Sequence, residues 1–215
     1  MCGARAGGEW LDCVVMAGGK GSRLGMGEKP MVRLYKKPLI DYVVSALRPS
    51  TERIIVATTR ATPETRRWSL GKNLEVVDTS GSGYIPDMVE AVERAGISGP
   101  VMVIMADLPL ITEEIVREVI DAYKSRPEPA LSVHTLLSLH RSLGRRPDVI
   151  FNYMGELIVP AGVNILTGSR ISDEQEDFHL IMNRIELAIN INTPDDLRIC
   201  ERIIKRRMES QGDMD

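Results

Sequence analysis

One short segment constrains this 215-residue chain more than any other. Residues 17–30 read AGGKGSRLGMGEKP and follow residues 13–16, an apolar run typical of a buried strand. Glycines have no Cβ, so backbone N–H groups can close around a polyanion while the interleaved cations supply countercharge. A strand that ends in such a loop is typical of an α/β fold that binds nucleotide phosphates.

Two commoner phosphate-binding loops do not fit this segment. A Walker loop ends in Gly-Lys-Ser or Gly-Lys-Thr, but here Lys20 is followed by Gly21. A dinucleotide-binding loop needs a third glycine, where this chain has Leu24, and an acid ending the next strand, where residues 56–59 read VATT. The segment therefore predicts a triphosphate cradle of the nucleotidyltransferase kind.

The cations of this loop suggest different roles. We expect the loop from Ala17 to Arg23 to surround the triphosphate. Arg23 suits the β and γ phosphates, because its planar fork can hold two oxygens at once. Lys29, at the far end of the loop, is expected at the α phosphate, where charge develops during attack. Both are therefore candidates for the catalytic machinery.

The rest of the chain alternates short apolar runs with amphipathic patterns. Strands are predicted at residues 11–16, 53–57, 74–77, 101–105 and 185–191. Helices are predicted at residues 39–47, 63–70, 85–95, 111–123 and 194–208. Residues 149–151 and 156–159 indicate a small hairpin insertion, and residues 130–148 match no clear pattern. This order predicts an α/β, Rossmann-like, doubly wound, mostly parallel sheet.

Composition limits the classes of function. We expect one domain over residues 1–215, with a core at about 11–208 and flexible residues at 1–10 and 209–215. A net charge of −3 offers no global field for nucleic acid, and no apolar run is long enough for a membrane span. Cys13 and Cys200 are expected to be buried reduced thiols, which favours a cytoplasmic location. His134 and His140 are expected on the surface, because neither has partners at metal-ligand spacing.

Polar side chains at strand ends suggest a metal site. Asp107 follows the apolar run at residues 101–105, and a carboxylate there can bind Mg²⁺. The alternative is a helix cap, but Thr112 is better placed for that role. Asn192 lies near the end of the last predicted strand and is a candidate second oxygen ligand.

Two further segments are candidates for the base and the acceptor. Asp78 could accept from N1–H and N2–H₂ of guanine, although a local turn held by Asp78 explains the same residue. The small residues Thr79, Ser80 and Gly81 would let the chain pass close to the base. Thr59 is a weaker candidate for this pocket. Gly162 and Asn164, after the predicted hairpin, could place the acceptor or could form a simple turn.

Four blocks of the sequence carry a resemblance: MAGGKGSRLGMGEKP, DTSGSGYIPD, VPAGVNIL and NINTPDDL. The first resembles the glycosyltransferase-A-like nucleotidyltransferases in general. All four together, over about residues 12–205, resemble the archaeal GTP:adenosylcobinamide-phosphate guanylyltransferase family. The segments ADLPLI and NINTPDDL also resemble molybdenum-cofactor guanylyltransferases, the runner-up.

The resemblance implies site residues and a reaction. It assigns Mg²⁺ binding to Asp107 and Asn192. It assigns the triphosphate of GTP to Gly18, Gly19, Lys20, Gly21, Ser22, Arg23 and Lys29. It implies transfer of GMP from GTP to adenosylcobinamide phosphate, with pyrophosphate as the second product, in cobalamin biosynthesis. Three alternatives remain: transfer to molybdopterin, transfer to a sugar phosphate, and a regulatory module that binds GTP without turnover.

Overall fold

The computed structural model describes residues 11–19, 21 and 24–212. The strands are β1 Leu11–Met16, β2 Arg33–Leu34, β3 Lys37–Pro38, β4 Thr51–Thr59, β5 Glu75–Thr79, β6 Pro100–Met105, β7 Ala130–Leu136, β8 Phe151–Tyr153, β9 Glu156–Thr167 and β10 Asp177–Ile181. The helices are α1 Leu39–Leu47, α2 Pro63–Gly71, α3 Tyr84–Arg94, α4 Glu113–Lys124, α5 Leu137–Ser142, α6 Ile185–Ala188 and α7 Pro194–Gly212. Lys29–Met31 and Gly168–Arg170 form single 3₁₀ turns.

Eight of the strands form one mixed sheet in the order β10-β7-β9-β6-β1-β4-β5, with β8 paired to β9. β1 lies between β4 and β6, parallel to both, and β5 continues the parallel set beyond β4. β9 runs antiparallel to both β6 and β7, and β10 pairs parallel with β7. The predicted α/β fold with a mostly parallel sheet is confirmed. The carboxyl ends of β1, β4, β5 and β6 meet at one edge, which positions the candidate site.

Alternate side chains of the central strands pack on opposite faces of the sheet. Val15 and Ile104 lie in one core cluster with apolar residues of α1 and α4. Val14 and Val103 lie in a second cluster with residues of α3. Helices cover both faces, which explains why these strands read as continuous apolar runs.

The two described cysteines behave as the composition predicts. Cys13 in β1 and Cys200 in α7 are free and buried. Burial raises the pKa of the Cys13 thiol, and chiefly burial raises that of Cys200 to about 12. Thiols that stay protonated at neutral pH are poor nucleophiles, so neither is a reactive centre.

Several local predictions were wrong. The strand predicted at residues 185–191 is the short helix α6 followed by irregular chain. Its apolar residues from Leu187 to Ile191 are buried, but beyond α6 the backbone is held to distant groups by only two bonds among the described residues: Ile191 N–H donates to the carbonyl of Asp107, and Arg145 donates to the carbonyl of Asn190. The unmatched residues 130–148 contain β7 and α5. The helix α7 runs to Gly212, beyond the expected end at residue 208.

The histidines also depart from expectation, because both lie in the interior. His134 is 3% exposed and His140 is 4% exposed. The Thr135 hydroxyl lies 2.7 Å from His140 Nε2, and Ser132 O lies 3.1 Å from His134 Nδ1. Burial is the main cause that lowers both pKa values. Neither belongs to a group of three His, Cys, Asp or Glu side chains able to hold a metal in the described part of the chain. In that same part, no helix is long and apolar enough to cross a bilayer.

Candidate active site

The glycine-rich loop folds back on itself at the carboxyl end of β1. Gly21 has a φ of 64°, and a Cβ added there would lie 2.7 Å from the carbonyl oxygen of Gly27. Lys29 N–H donates to the carbonyl of Gly19 at 3.3 Å, which closes the loop. A Cβ on Gly18 would lie 2.6 Å from Cγ2 of Thr59, at the end of β4. These glycines are required by close backbone approach, as the sequence indicated.

Three residues of the predicted cradle, Lys20, Ser22 and Arg23, lie outside the described residues. Their phosphate-binding roles therefore stay predictions. The described part of the loop, with Ala17, Gly18, Gly19 and Gly21, adjoins the end of β4. Ala17 N–H donates to Ala57 O at 2.9 Å, so the start of the loop is held to the neighbouring strand.

Glu28 fastens the far end of the loop to the start of α2. Its carboxylate accepts from the N–H groups of Glu64 and Thr65, each at 2.7 Å, and from the Thr65 hydroxyl at 2.7 Å. The helix terminus and the carboxylate attract each other through the helix dipole. Thr62, the residue before α2, does not cap the helix with its side chain, because its hydroxyl bonds to the backbone of Thr59. This anchor fixes the residue immediately before Lys29.

Lys29, Asp107 and Asn192 meet at the carboxyl edge of the sheet. The Lys29 ammonium forms an ion pair with Asp107 Oδ2 and donates to Asn192 Oδ1 at 2.6 Å. Asp107 is 3% exposed, and its second oxygen, Oδ1, is buried without a hydrogen-bond partner among the described residues. The three predicted residues are thus brought together although they lie far apart in the sequence.

Two of these residues, Asp107 and Asn192, fit a divalent cation. The unpartnered oxygen of Asp107 and the amide oxygen of Asn192 are hard donors of the kind that Mg²⁺ prefers. Asn192 is held in place because its own N–H and that of Thr193 donate to Asp196 Oδ2 at 2.9 and 2.8 Å. Thr193 Oγ1 in turn accepts from Asp196 N–H at 3.3 Å, so Thr193 caps the start of α7. The predicted cap of α4 is present too, with Thr112 accepting from Ile115 N–H.

A cavity of about 380 Å³ opens beside the glycine-rich loop. We call it the loop cavity. Gly18, Gly19 and Thr59 line it together with Ser80 and Gly81, which are residues of the predicted base pocket. The Thr59 hydroxyl donates to the carbonyl of Gly18 at 3.3 Å. The predicted positions of Thr59, Ser80 and Gly81 are therefore brought together around one space.

The segment after β5 is shaped by Asp87, which sequence reasoning missed. Asp87 Oδ1 accepts from the N–H groups of Gly81 at 2.8 Å and Ser82 at 3.1 Å, while Ser80 N–H donates to Glu90 at 2.7 Å. These three amides are therefore engaged within the protein. An acid at the start of a helix, eight residues after the end of β5 and four after Gly83, was the available signal.

Asp78 does not line either cavity at the site. Its carboxylate accepts from the Thr58 hydroxyl at 2.8 Å and from Arg66 Nε at 3.0 Å. Burial alone would raise its pKa, but the hydrogen bonds from Thr58 and Arg66 hold the pKa of Asp78 below its usual value. Thr79 is buried and donates its hydroxyl to the carbonyl of Thr58 at 3.0 Å. The roles predicted for Asp78 and Thr79 stay predictions.

A second, larger cavity of about 670 Å³ opens at Asp107. We call it the outer cavity. Asp107, Asn192 and Gly162 line it, and Tyr84 lines both cavities. Gly162 has a φ of 75°, and a Cβ there would lie 2.9 Å from Met105 Cγ. Asn164 donates to the Tyr84 hydroxyl at 3.4 Å. Gly162 and Asn164 are thus next to the boundary between the cavities, where a reacting pair would meet.

Comparison with known proteins identifies the family. The profile of the MobA-like NTP transferase domain matches residues 13–142. The chain is 35% identical to adenosylcobinamide-phosphate guanylyltransferase of Methanocaldococcus jannaschii over 203 residues, which covers 91% of this chain and 98% of that protein. It is 25% identical to molybdenum cofactor guanylyltransferase of Shewanella sediminis over 51% of this chain and 55% of that protein.

Solved structures share the fold. A structure described as CMP:2-keto-3-deoxy-manno-octonic acid synthetase complexed with CTP aligns with a TM-score of 0.69 at 13% identity, covering 93% of this chain and 100% of that one. A hypothetical transferase from Thermus thermophilus aligns with a TM-score of 0.65 at 16% identity, covering 87% and 99%. At such identities the likeness concerns the fold alone. From the profile match and the similarity along nearly the whole chain, we conclude that this chain belongs to the MobA-like NTP transferase domain family.

Proposed function

We propose that this chain is a guanylyltransferase that transfers GMP from GTP to adenosylcobinamide phosphate and releases pyrophosphate. The observation that carries the proposal is the cluster of Lys29, Asp107 and Asn192, in which Asp107 and Asn192 line the outer cavity. The Methanocaldococcus relative supports the choice of substrates, because the similarity covers nearly the whole of both chains.

The proposed reaction requires the protein to position the two substrates rather than to supply a nucleophilic side chain. A phosphate oxygen of the acceptor attacks the α phosphorus of GTP, a new P–O bond forms, and the bond to pyrophosphate breaks. The nucleophile is already an anion, so no covalent intermediate with the protein is needed. The protein must hold two anions in line and neutralise the charge between them.

Lys29 is the described cation closest to this task. Its ammonium contacts Asp107 and Asn192, which line the outer cavity, and the preceding residue, Glu28, is bonded to the start of α2. Nucleotidyltransferases of this family commonly use a divalent metal, and we propose Mg²⁺ at Asp107 and Asn192. When bound, that ion supplies positive charge to the α phosphate. Lys20, Arg23 and the loop amides are proposed to hold the departing pyrophosphate.

The outer cavity supports a reaction between two bound substrates. GTP is proposed to occupy the loop cavity, with the guanine near Ser80 and Gly81, whose carbonyls can accept from N1–H and N2–H₂. The acceptor phosphate is proposed to enter from the outer cavity past Gly162. Because no Cβ stands at Gly162, the backbone there approaches the side chain of Met105 closely.

The decisive experiment is an acceptor screen with GTP. Pyrophosphate release is measured with adenosylcobinamide phosphate, molybdopterin and sugar 1-phosphates side by side. We expect turnover with adenosylcobinamide phosphate, and turnover restricted to molybdopterin would favour the second candidate. That candidate has support of its own, because molybdenum cofactor guanylyltransferases match about half of the chain. GTP binding without turnover on any acceptor would indicate a regulatory module.

Variants of the loop test the roles within the reaction. Lys29→Met is expected to lower kcat by at least about 100-fold, the loss of a few kcal/mol of charge stabilisation in the transition state. Arg23→Ala is expected mainly to raise KM for GTP. Lys37→Met is the matched control, since Lys37 is an exposed lysine whose nearest carboxylate, Asp41, lies 4.0 Å away. A kcat of the wild-type value in Lys29→Met would contradict the assignment.

A further inference from the structure

The outer cavity has one charged wall that the reaction described above does not use. Arg145 and Arg146 both line it, on the chain that follows α5. They are neighbours in sequence but differ in their contacts. A phosphate ester that enters this cavity as a dianion would come close to these two guanidinium groups.

Arg145 is engaged in holding the protein together. Its Nη2 donates to the backbone carbonyl of Asn190 at 3.1 Å and to Asn190 Oδ1 at 2.9 Å. Its Nη1 lies 3.3 Å from Asp196 Oδ1, and its side chain is only 13% exposed. Because Asn190 and Asp196 flank Asn192, Arg145 fixes the segment that carries the proposed metal ligand. It is a positioning residue with little capacity left for a substrate.

Arg146 is different, because it is exposed and still faces the cavity. Within the described part of the chain, no hydrogen bond or ion pair engages its guanidinium. The four acids in the cavity wall are already engaged: Asp107 by Lys29, Asp195 by Arg198, Asp196 by Arg145, and Asp148 by a contact of its own. Arg146 is therefore a cation available to an entering anion, and a guanidinium can hold two phosphate oxygens together.

An apolar surface continues from the cavity directly after Arg146. Residues 149–151, which we call the apolar rim, are Val149 at 50% exposure, Ile150 at 45% and Phe151 at 50%. Val149 itself lines the outer cavity. A run of three exposed apolar residues is unusual on a surface in contact with water and commonly marks a binding site.

We infer that Arg146 and the apolar rim form the acceptor subsite: Arg146 binds the phosphate monoester, and residues 149–151 bind the adjoining apolar body of the same molecule. The inference rests on the proposed function, and it adds a substrate class. The acceptor is a phosphate monoester attached to a body too large for the cavity, which extends over the rim. We choose this ligand because the apolar rim is continuous with the outer cavity and because the charge of Arg146 is complementary to a phosphate.

The first test separates acceptor binding from GTP binding. In Arg146→Gln, KM for adenosylcobinamide phosphate is expected to rise about 10- to 100-fold, with KM for GTP unchanged. Arg146→Lys is expected to recover part of the loss, because it keeps the charge without the fork. Arg141→Gln is the matched control, because Arg141 is an exposed arginine of α5 that does not line the cavity. An unchanged acceptor KM in Arg146→Gln overturns the inference.

The second test separates the phosphate from the body of the acceptor. Adenosylcobinamide without its phosphate is used as a competitive inhibitor. Arg146→Gln is expected to leave its inhibition constant unchanged, whereas the double variant Val149→Ser, Ile150→Ser is expected to raise it about 5- to 30-fold. Leu70→Ser is the control, since Leu70 on α2 is 48% exposed and lines neither cavity. Equal inhibition in wild type and the double variant overturns the role of the rim.

Two further readouts keep the outcomes distinct. Sedimentation analysis of the double variant shows whether the rim instead joins two copies of the chain. A changed oligomeric state with an unchanged acceptor KM overturns the inference in favour of an interface. If wild-type protein shows no turnover with adenosylcobinamide phosphate, the proposed function fails. If wild type is active and the variants match it, only the subsite fails.

Discussion

Replacing Lys29 by methionine should make the nucleotide-free protein bind divalent metal more tightly. The Lys29 ammonium is bonded to Asp107 and donates to Asn192 Oδ1 at 2.6 Å, which are the two oxygens proposed for the metal. A cation entering this position must displace the ammonium first. Methionine keeps a side chain of similar length but carries no charge, so the competition disappears while the packing is largely kept.

The size of the effect follows from the contacts that the metal must break. Hydrogen bonds to charged groups contribute about 1.5–3 kcal/mol each. Lys29 makes two, but its side chain is 17% exposed, so water compensates part of the loss. We take about 2–3 kcal/mol for displacing the ammonium, which corresponds to about a 30- to 150-fold lower Kd for metal in Lys29→Met.

The assay is titration of the nucleotide-free protein with Mg²⁺ by calorimetry and with Mn²⁺ by electron paramagnetic resonance. Wild type is expected to bind weakly, because the site offers one carboxylate and one amide from the protein. Lys37→Met, in which an exposed lysine is removed elsewhere, should match wild type. Circular dichroism confirms that the variants are folded, so that a change in Kd reports on the site.

Equal metal affinity in wild type and Lys29→Met would refute the reasoning. It would mean that the ammonium does not compete with the metal in solution, or that the metal binds elsewhere. Asp107→Asn in the Lys29→Met background decides between these, because the gain in affinity must vanish with the carboxylate if the site is correct. Metal binding that persists in this double variant would place the metal outside the strand-end cluster.

Three other perturbations follow from the structure. Glu28→Gln should lower the free energy of unfolding by about 1–2 kcal/mol and should lower kcat, because Glu28 accepts from the first N–H groups of α2. Glu64→Gln is the control, because the Glu64 carboxylate is not the acceptor in these bonds. An unchanged urea midpoint and kcat in Glu28→Gln would contradict this prediction. Asp78→Asn should leave the ratio of kcat/KM for GTP to kcat/KM for ITP nearly unchanged, because Asp78 is bonded to Thr58 and Arg66 outside the loop cavity. A smaller ratio in the variant would indicate that Asp78 binds the guanine base. Burial, and then the nearby charge of Arg145, lowers the pKa of His140 below 6.5. The unfolded chain therefore binds the proton at a higher pH than the folded chain, so the free energy of unfolding should decrease as pH falls from about 7.5 to about 5.5. His140→Gln should weaken this pH dependence in urea titrations, and an equal dependence in wild type and variant would contradict the prediction.

The sequence predicted the parallel core because its strands carry a direct physical signal. Runs such as residues 13–16 and 101–105 are apolar without alternation, which burial on both faces explains. The strand-end argument also predicted the position of Asp107. It does not account for Asn192, which follows irregular chain rather than a strand, nor for Lys29, which lies in a 3₁₀ turn. The meeting of Lys29, Asp107 and Asn192 depends on tertiary structure, so the bonds among these residues could not be predicted from their spacing in the sequence.

Other parts could not be predicted because their causes are long-range. The segment at residues 185–191 has the apolar content of a strand, yet it pairs with none of the described strands. It forms α6 and irregular chain, and tertiary packing buries its residues from Leu187 to Ile191 without a sheet partner. Glu28 was missed because its partners, the N–H groups of Glu64 and Thr65, lie 36 and 37 residues away. Asp87 bonds locally, to Gly81 and Ser82, so its sequence signal was present and was overlooked.

Under the proposed roles, the position of Lys29 makes metal binding and nucleotide binding interdependent. In the structure, its charge neutralises the buried carboxylate of Asp107. We propose that the α phosphate of bound GTP attracts the ammonium, so that the carboxylate loses this partner and gains affinity for a divalent cation. Linkage requires that GTP strengthen metal binding by the same factor as metal strengthens GTP binding. A site with a single protein carboxylate can therefore bind its metal weakly in the absence of nucleotide and firmly during turnover, because one lysine serves both states.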